Sequence, residues 1–381
     1  MKKSLIIIVS ICLTLGTLAW STRTKPIALP SIPVPQNVYE TALQEIDLTS
    51  KMERYGVPGV SLGVVKDGKL AWAKGYGLIQ LGRPEEINTA TMFSVGSVSK
   101  VGAAVITLKM QKTGQLDIDT DVNQYLTSWK VPQNQYTEQA SVTLRRIMSH
   151  TAGLTVHGFA DFDPEEELPT TVQILEGKSP AKSNRVYVNI PIGRRFRYSG
   201  GGTTVEQLVI EDITGKSFHE VTSEMLFQPL GMSRSSYQNP LPEEMGNIAK
   251  AHNRHGHPVA LPRGYQSMPE AAASGLWTTP SDFAKLMLML MEAYEGKHSF
   301  LNQNSVRDMM TSVYPSEYGL GPRITRNGDD IIFSHGGAND CYKAHFSGSI
   351  SQKTGFIIFT NGAGGHQLIR DLQPVFEEML Y

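Results

Sequence analysis

Ser97 and Lys100 stand three residues apart in FSVGSVSK, residues 93 to 100, and the apolar positions Val101, Val105, Ile106, Leu108 and Met110 that follow keep helical spacing. Residues three apart on a helix share a face, so the hydroxyl and the ammonium meet side by side while Ser99 points elsewhere. A helix N-terminus carries partial positive charge and burial disfavours a cation, so a lysine placed there is poised to give up its proton. It can take a proton from Ser97 directly, or stay charged and depress the pKa of a neighbouring phenol that does so. The Ser97 N–H at the same helix end is free to face an oxyanion. One short segment thus offers a nucleophile, its activator and half of an oxyanion hole. The competing reading is a serine N-cap followed by a lysine that snorkels to solvent.

Two further segments carry candidate chemistry. In GRRFRYSGGGTTVEQLVIEDITGKSF, Tyr198 precedes Gly200, Gly201 and Gly202, read as an open turn with a helix following from about Thr203. In FSHGGAND, His335 ends a strand before Gly336 and Gly337, two residues that let a ligand lie close against a sheet edge.

Other matches are set aside on context. Gly59-Val60-Ser61-Leu62-Gly63 fits G-x-S-x-G, but a hairpin rather than a helix follows Ser61. Ser179-Pro180-Ala181-Lys182 repeats S-x-x-K in a Pro-containing polar stretch with no helix to align it. Lys353-Thr354-Gly355 lies between two runs of strand character and reads as a polar hairpin tip. His219-Glu220 lacks the second histidine of H-E-x-x-H, and no Cys/His cluster has ligand spacing, so no metal and no cofactor are expected. The acidic run DFDPEEE reads as a solvated loop, and His150 in SHTAGL and Cys341 read as structural.

The elements that must position these residues follow from the pattern of the whole chain. TALQEIDLTSKMERYG has helical spacing with a stop at Gly56, and GVSLGVVKDGKLAWAKGYG reads as two strands around an Asp67-Gly68 turn. The middle is helical and loop-rich, with TLRRIMSHTAGL, TTVEQLVIEDITGKSF and PSDFAKLMLMLMEAYEG its clearest segments. Strands return in DIIFSHGG, CYKAHFSGSI and GFIIFTNG, and HQLIRDLQPVFEEML closes the chain as a helix. The fold class is therefore α/β (α+β), a sheet built from both chain ends, about residues 38–95 and 315–381, around a helical region of about 96–314.

With 381 residues, 40% of them hydrophobic and 19% charged, the chain can bury a large core. A net charge of -1 gives no electrostatic case for nucleic acid or an acidic membrane face, so a small-molecule partner is expected. Residues 1–19, with Lys2, Lys3 and an apolar run from Leu5 to Leu18, read as a signal peptide, shorter in its apolar part than a bilayer span; the alternative is an uncleaved helix that anchors the chain in the inner membrane. Residues 20–37 read as a Pro-rich spacer, and 38–381 as the folded domain. If the leader is cleaved, only Cys341 of the two cysteines survives and no internal disulfide is possible.

In order and spacing, FSVGSVSK, LRRIMSHTAGL, RFRYSGGG, PLGM, ASGLWTTPSDFAKLM and FSHGGA resemble the serine β-lactamase and penicillin-binding protein superfamily, specifically its class C-like branch with esterases and D-peptidases. The resemblance covers nearly all of the chain after the leader. It implies a β-lactamase/transpeptidase-like fold, an antiparallel sheet flanked by helices. It implies Ser97 as nucleophile, Lys100 as its partner, and Tyr198 as general base toward Ser97 and general acid toward the leaving group. It further implies an oxyanion hole from the Ser97 and Ala338 N–H groups, with His335 where many members carry the lysine of K-T-G. Gly336, Gly337 and Gly200 would then face substrate.

Two departures bear on substrate. Gly200 stands where many members have the asparagine of Y-x-N, and His335, expected to titrate near its reference pKa of about 6.5, supplies less positive charge than lysine. The expectation is an exported, periplasmic or secreted serine hydrolase acting through an acyl-enzyme on an ester or small amide. Its rivals are a class C-like β-lactamase or D-alanyl-D-alanine carboxypeptidase, and a non-catalytic cell-wall or lipid-binding relative.

Overall fold

Gly56 ends the first helical stretch in the left-handed region (φ 63°), where glycine is favoured, and the chain passes directly into a hairpin. The structure, a computed structural model, describes residues 37–381, so the leader and nearly all of the spacer lie outside the described residues. Helices Asn37–Glu45 and Leu48–Tyr55 precede strands β1 (Gly59–Lys66) and β2 (Lys69–Gly77). Asp67 and Gly68 both take positive φ, 53° and 69°, the geometry of a two-residue type I′ hairpin.

The chain's far end supplies β5 (Arg323–Asn327), β6 (Asp330–Asn339), β7 (Tyr342–Ser349) and β8 (Thr354–Thr360). With the first hairpin they form one antiparallel sheet in the order β2-β1-β8-β7-β6-β5. β8 is apolar along its length because both faces are covered. Phe356 and Ile358 pack with Leu368, Leu372 and Phe376 of the closing helix Gly365–Leu380, whereas Ile357 and Phe359 join the larger core on the other side. Helix Pro280–Tyr294 lies against that second face.

The region between the sheet halves is less helical than its sequence suggests. TLRRIMSHTAGL yields a helix only over Leu144–Met148, because His150 turns left-handed (φ 58°). A two-residue pair, β3 (Phe93–Ser94) with β4 (Trp277–Thr278), forms a second small sheet under the nucleophile segment. The three glycines after Tyr198 correct the expected open turn: helix Gly200–Thr214 begins at the first of them, with the Ser199 hydroxyl accepting from the Gly202 N–H at 2.8 Å as N-cap. Among the described residues no helix is long and apolar enough to cross a membrane.

Candidate active site

A single 3₁₀ turn, Gly96–Val98, carries Ser97 into helix Ser99–Lys112. The turn needs glycine twice. Gly96 takes φ 50°, and a Cβ there would lie 2.5 Å from the Ala338 nitrogen; a Cβ on Gly337 would lie 1.9 Å from the Val95 carbonyl oxygen. β6 therefore runs in backbone contact with the turn, which brings Ala338 beside the Ser97 segment. β5 pairs with β6 only as far as Ser334, so the outer edge from His335 to Asn339 has no ladder partner among the described residues. Asn339 fixes the end of that edge, donating to Ser94 Oγ at 2.7 Å and to the Ser274 carbonyl at 3.0 Å.

Lys100 is buried, and its Nζ donates to Ser97 Oγ at 3.2 Å and to the Ala273 carbonyl at 2.6 Å. Burial lowers its pKa to about 7, against a smaller upward pull from Glu206. Ser99 does point elsewhere, donating to the Gly96 carbonyl and accepting from Leu276 N–H at 2.9 Å, which ties the turn to the element that holds Lys100. The Tyr198 ring centroid lies 5.1 Å from Lys100 Nζ, and the Ser97 hydroxyl beside the phenol pulls its pKa down. Burial raises the phenol above its ordinary value, and Ser97 opposes only part of that. The expected option of a phenol depressed by Lys100 is thereby corrected: desolvation, with Tyr318 beside it, holds the phenol high.

His335 joins the same cluster, its ring centroid 6.2 Å from Tyr198 and 5.6 Å from Tyr318. Its Nδ1 is 2.6 Å from the Gly336 carbonyl, so Nδ1 carries the hydrogen, and Nε2 has no partner among the described residues. The expectation that it titrates near 6.5 is corrected: burial, then Lys100, lowers it to about 3. The imidazole is neutral at any working pH.

The glycine assignments divide. Gly336 is exposed with open space around it, whereas Gly337 serves close packing on Val95 rather than a ligand. Gly200 is likewise buried: a Cβ would meet Phe159 Cε2 at 2.9 Å and the His157 carbonyl at 3.1 Å. The missing asparagine of Y-x-N is thus a packing consequence of the loop laid over this helix start.

The set-aside matches lie elsewhere. Ser61 is buried in β1 between β2 and β8. Lys182 pairs with Glu166 at 2.7 Å in a loop. Lys353 pairs with Glu295 at 2.9 Å at the opposite end of β7 from Asn339. Sequence reasoning missed the Ala273 carbonyl and Tyr318, which reach the site from remote segments; only the ASGLW stretch hinted at the former.

The profile of the Beta-lactamase family matches residues 47–375, and the chain belongs to that family. It is 22% identical over 328 residues to Protein flp of Staphylococcus aureus (strain MRSA252), covering 84% of this chain and 62% of that protein, so it spans less than two thirds of such relatives. It is 30% identical over 211 residues to the Unguisins hydrolase ungD' of Aspergillus campestris (strain IBT 28561), covering 52% of this chain and 36% of that one. The fold is shared with the octameric penicillin-binding protein homologue from Pyrococcus abyssi, at TM-score 0.69 and 23% identity over 86% of this chain and 74% of that chain. It is shared equally with D-amino acid amidase from Ochrobactrum anthropi SV3, at TM-score 0.70 and 18% identity over 89% and 99%.

Proposed function

We propose that this chain hydrolyses an uncharged small ester or amide through an acyl-enzyme on Ser97. The observation that carries the reading is the contact of Lys100 Nζ with Ser97 Oγ in a site where burial brings the amine to about 7. The free amine takes the Ser97 proton as Oγ bonds to the acyl carbon, and the negative charge on the acyl oxygen falls to the Ser97 and Ala338 N–H groups. As the bond to the leaving group breaks, the neutral Tyr198 phenol gives it a proton and recovers one from the Lys100 ammonium. Water then repeats the sequence on the acyl-enzyme, releasing the acid and regenerating Ser97.

Amide chemistry gains support from the likeness to a D-amino acid amidase, and hydrolysis from the likeness to an unguisins hydrolase. A β-lactam or D-peptide substrate would bring a carboxylate to His335, which is neutral, and would find no side-chain amide at Gly200. Export is part of the proposal on the strength of Lys2, Lys3 and the apolar run that follows them. Intact-protein mass spectrometry after a fluorophosphonate should show one adduct, absent in Ser97→Ala. An adduct that survives Ser97→Ala would overturn the assignment. Rates on p-nitrophenyl esters, primary amides, a chromogenic cephalosporin and D-Ala-D-Ala peptides then rank the substrate classes.

A further inference from the structure

The acyl-transfer scheme leaves one buried side chain at its centre unused. The carbonyl of His150 accepts from the Arg197 N–H at 2.8 Å, and its ring Nδ1 accepts from the Ser199 N–H at 3.3 Å. The residues on both sides of Tyr198 therefore hang from one histidine. Between those two bonds the rings themselves meet, with centroids 4.2 Å apart and planes at 35°. His150 holds this arrangement in the left-handed region, φ 58°, immediately after the cap residue of helix Leu144–Met148. Bulky side chains seldom adopt that conformation, so the local fold keeps it against its own preference.

The hydrogen bonding also fixes the tautomer. An amide N–H can only donate, so Nδ1 presents its lone pair and the ring hydrogen sits on Nε2. The charged and titratable groups around the ring are Lys100, His335, His157, Tyr198 and Tyr318. Burial and the three basic neighbours keep the imidazole neutral, which is the only state that can accept from Ser199.

We propose that His150 is a positioning residue that clamps the 197–199 segment from both sides of Tyr198 and so holds the phenol at Ser97. The inference rests on the acyl-transfer reading for its consequence and on the backbone contacts for its existence. A clamp of this kind acts on turnover rather than on binding, because it sets the distance over which a proton moves.

Three substitutions separate the clamp from a space-filling role. His150→Gly accepts φ 58° without strain but removes the ring acceptor, His150→Asn tolerates the same φ and offers Oδ1 near the Nδ1 position, and His150→Phe keeps the ring without an acceptor. We expect His150→Gly and His150→Phe to lose roughly 10²-fold in kcat with KM little moved, and His150→Asn to recover most of it. Amide hydrogen exchange at Ser199 should accelerate in the glycine and phenylalanine variants and stay slow in the asparagine variant. Histidine nitrogen NMR should show a bare Nδ1 and a protonated Nε2. Wild-type kcat in His150→Gly, equal impairment of His150→Asn and His150→Gly, or the opposite tautomer would each overturn the proposal. Failure of the wild type to take a fluorophosphonate on Ser97 would instead sink the acyl-enzyme reading, while the Ser199 exchange pattern would still decide the clamp.

Discussion

Lys100 Nζ stands 3.2 Å from Ser97 Oγ, and its shorter contact, 2.6 Å, is to an uncharged carbonyl, that of Ala273. Among the described residues no carboxylate bonds the ammonium directly. Its charge is stabilised by dipoles and by Glu206 at a distance, and burial outweighs both.

Activity on a neutral ester should therefore rise with pH through about 7, as Lys100 loses its proton, and level off above. Glu206 favours the charged lysine, so Glu206→Gln should move this rising limb to lower pH. Rate profiles of kcat/KM measure both. A limb that falls with pH through the same range would contradict Lys100 as the base.

Tyr198→Phe removes the proton donor to the leaving group while leaving Lys100 beside Ser97. Loss of kcat should be roughly 10²-fold or more on amides, whose leaving amine must be protonated, and smaller on activated aryl esters, whose phenolate departs unaided. Equal losses on the two classes would remove Tyr198 from that step.

His335 is neutral down to about 3, so it should leave no mark on the pH dependence of substrate charge preference. The ratio of kcat/KM for a carboxylate-bearing ester to that for its methylated counterpart should stay flat across about pH 5 to 6, where Lys100 is still protonated and an unperturbed histidine would be titrating. His335→Gln, neutral at every pH, should keep the same shape. A ratio that declines as pH rises through this window would show a charged imidazole.

Gly337→Ala places a methyl group against the Val95 carbonyl, whereas Gly336→Ala meets open space. Thermal melting should show the first destabilised by about 1–3 kcal/mol, the scale of overpacking, and the second nearly unchanged in stability. Reduced Ser97 labelling in Gly337→Ala at temperatures where it stays folded would link the same contact to the site.

Local signals made part of this legible. Asp67-Gly68 announces its hairpin, the apolar spacing after Lys100 announces its helix, and Ser97 with Lys100 is readable because three residues on a helix fix their meeting. The Tyr198 and His335 segments were found through their glycines, yet Gly200, Gly201 and Gly337 turn out to serve packing, since only the fold says what lies opposite a missing Cβ. The pKa of His335 and the part played by His150 were hidden for a related reason. Both depend on burial among rings brought from residues 198 and 318, a property of the assembled cluster and of no single segment.

The pairing of Val60 with Thr360 sets when this site can exist. β8 joins β1 to β7, and β7 carries β6, whose Ala338 backbone braces the Ser97 turn. Such distant pairings make ordering slow and late relative to the local helices. A nascent chain that has emerged only through its middle third holds Ser97 and Lys100 on a formed or forming helix but has no strand to lay against them. Ser97 acquires its surroundings only when the last strand closes the sheet. Chains truncated before β8 should accordingly take no fluorophosphonate on Ser97, whereas the full-length chain does.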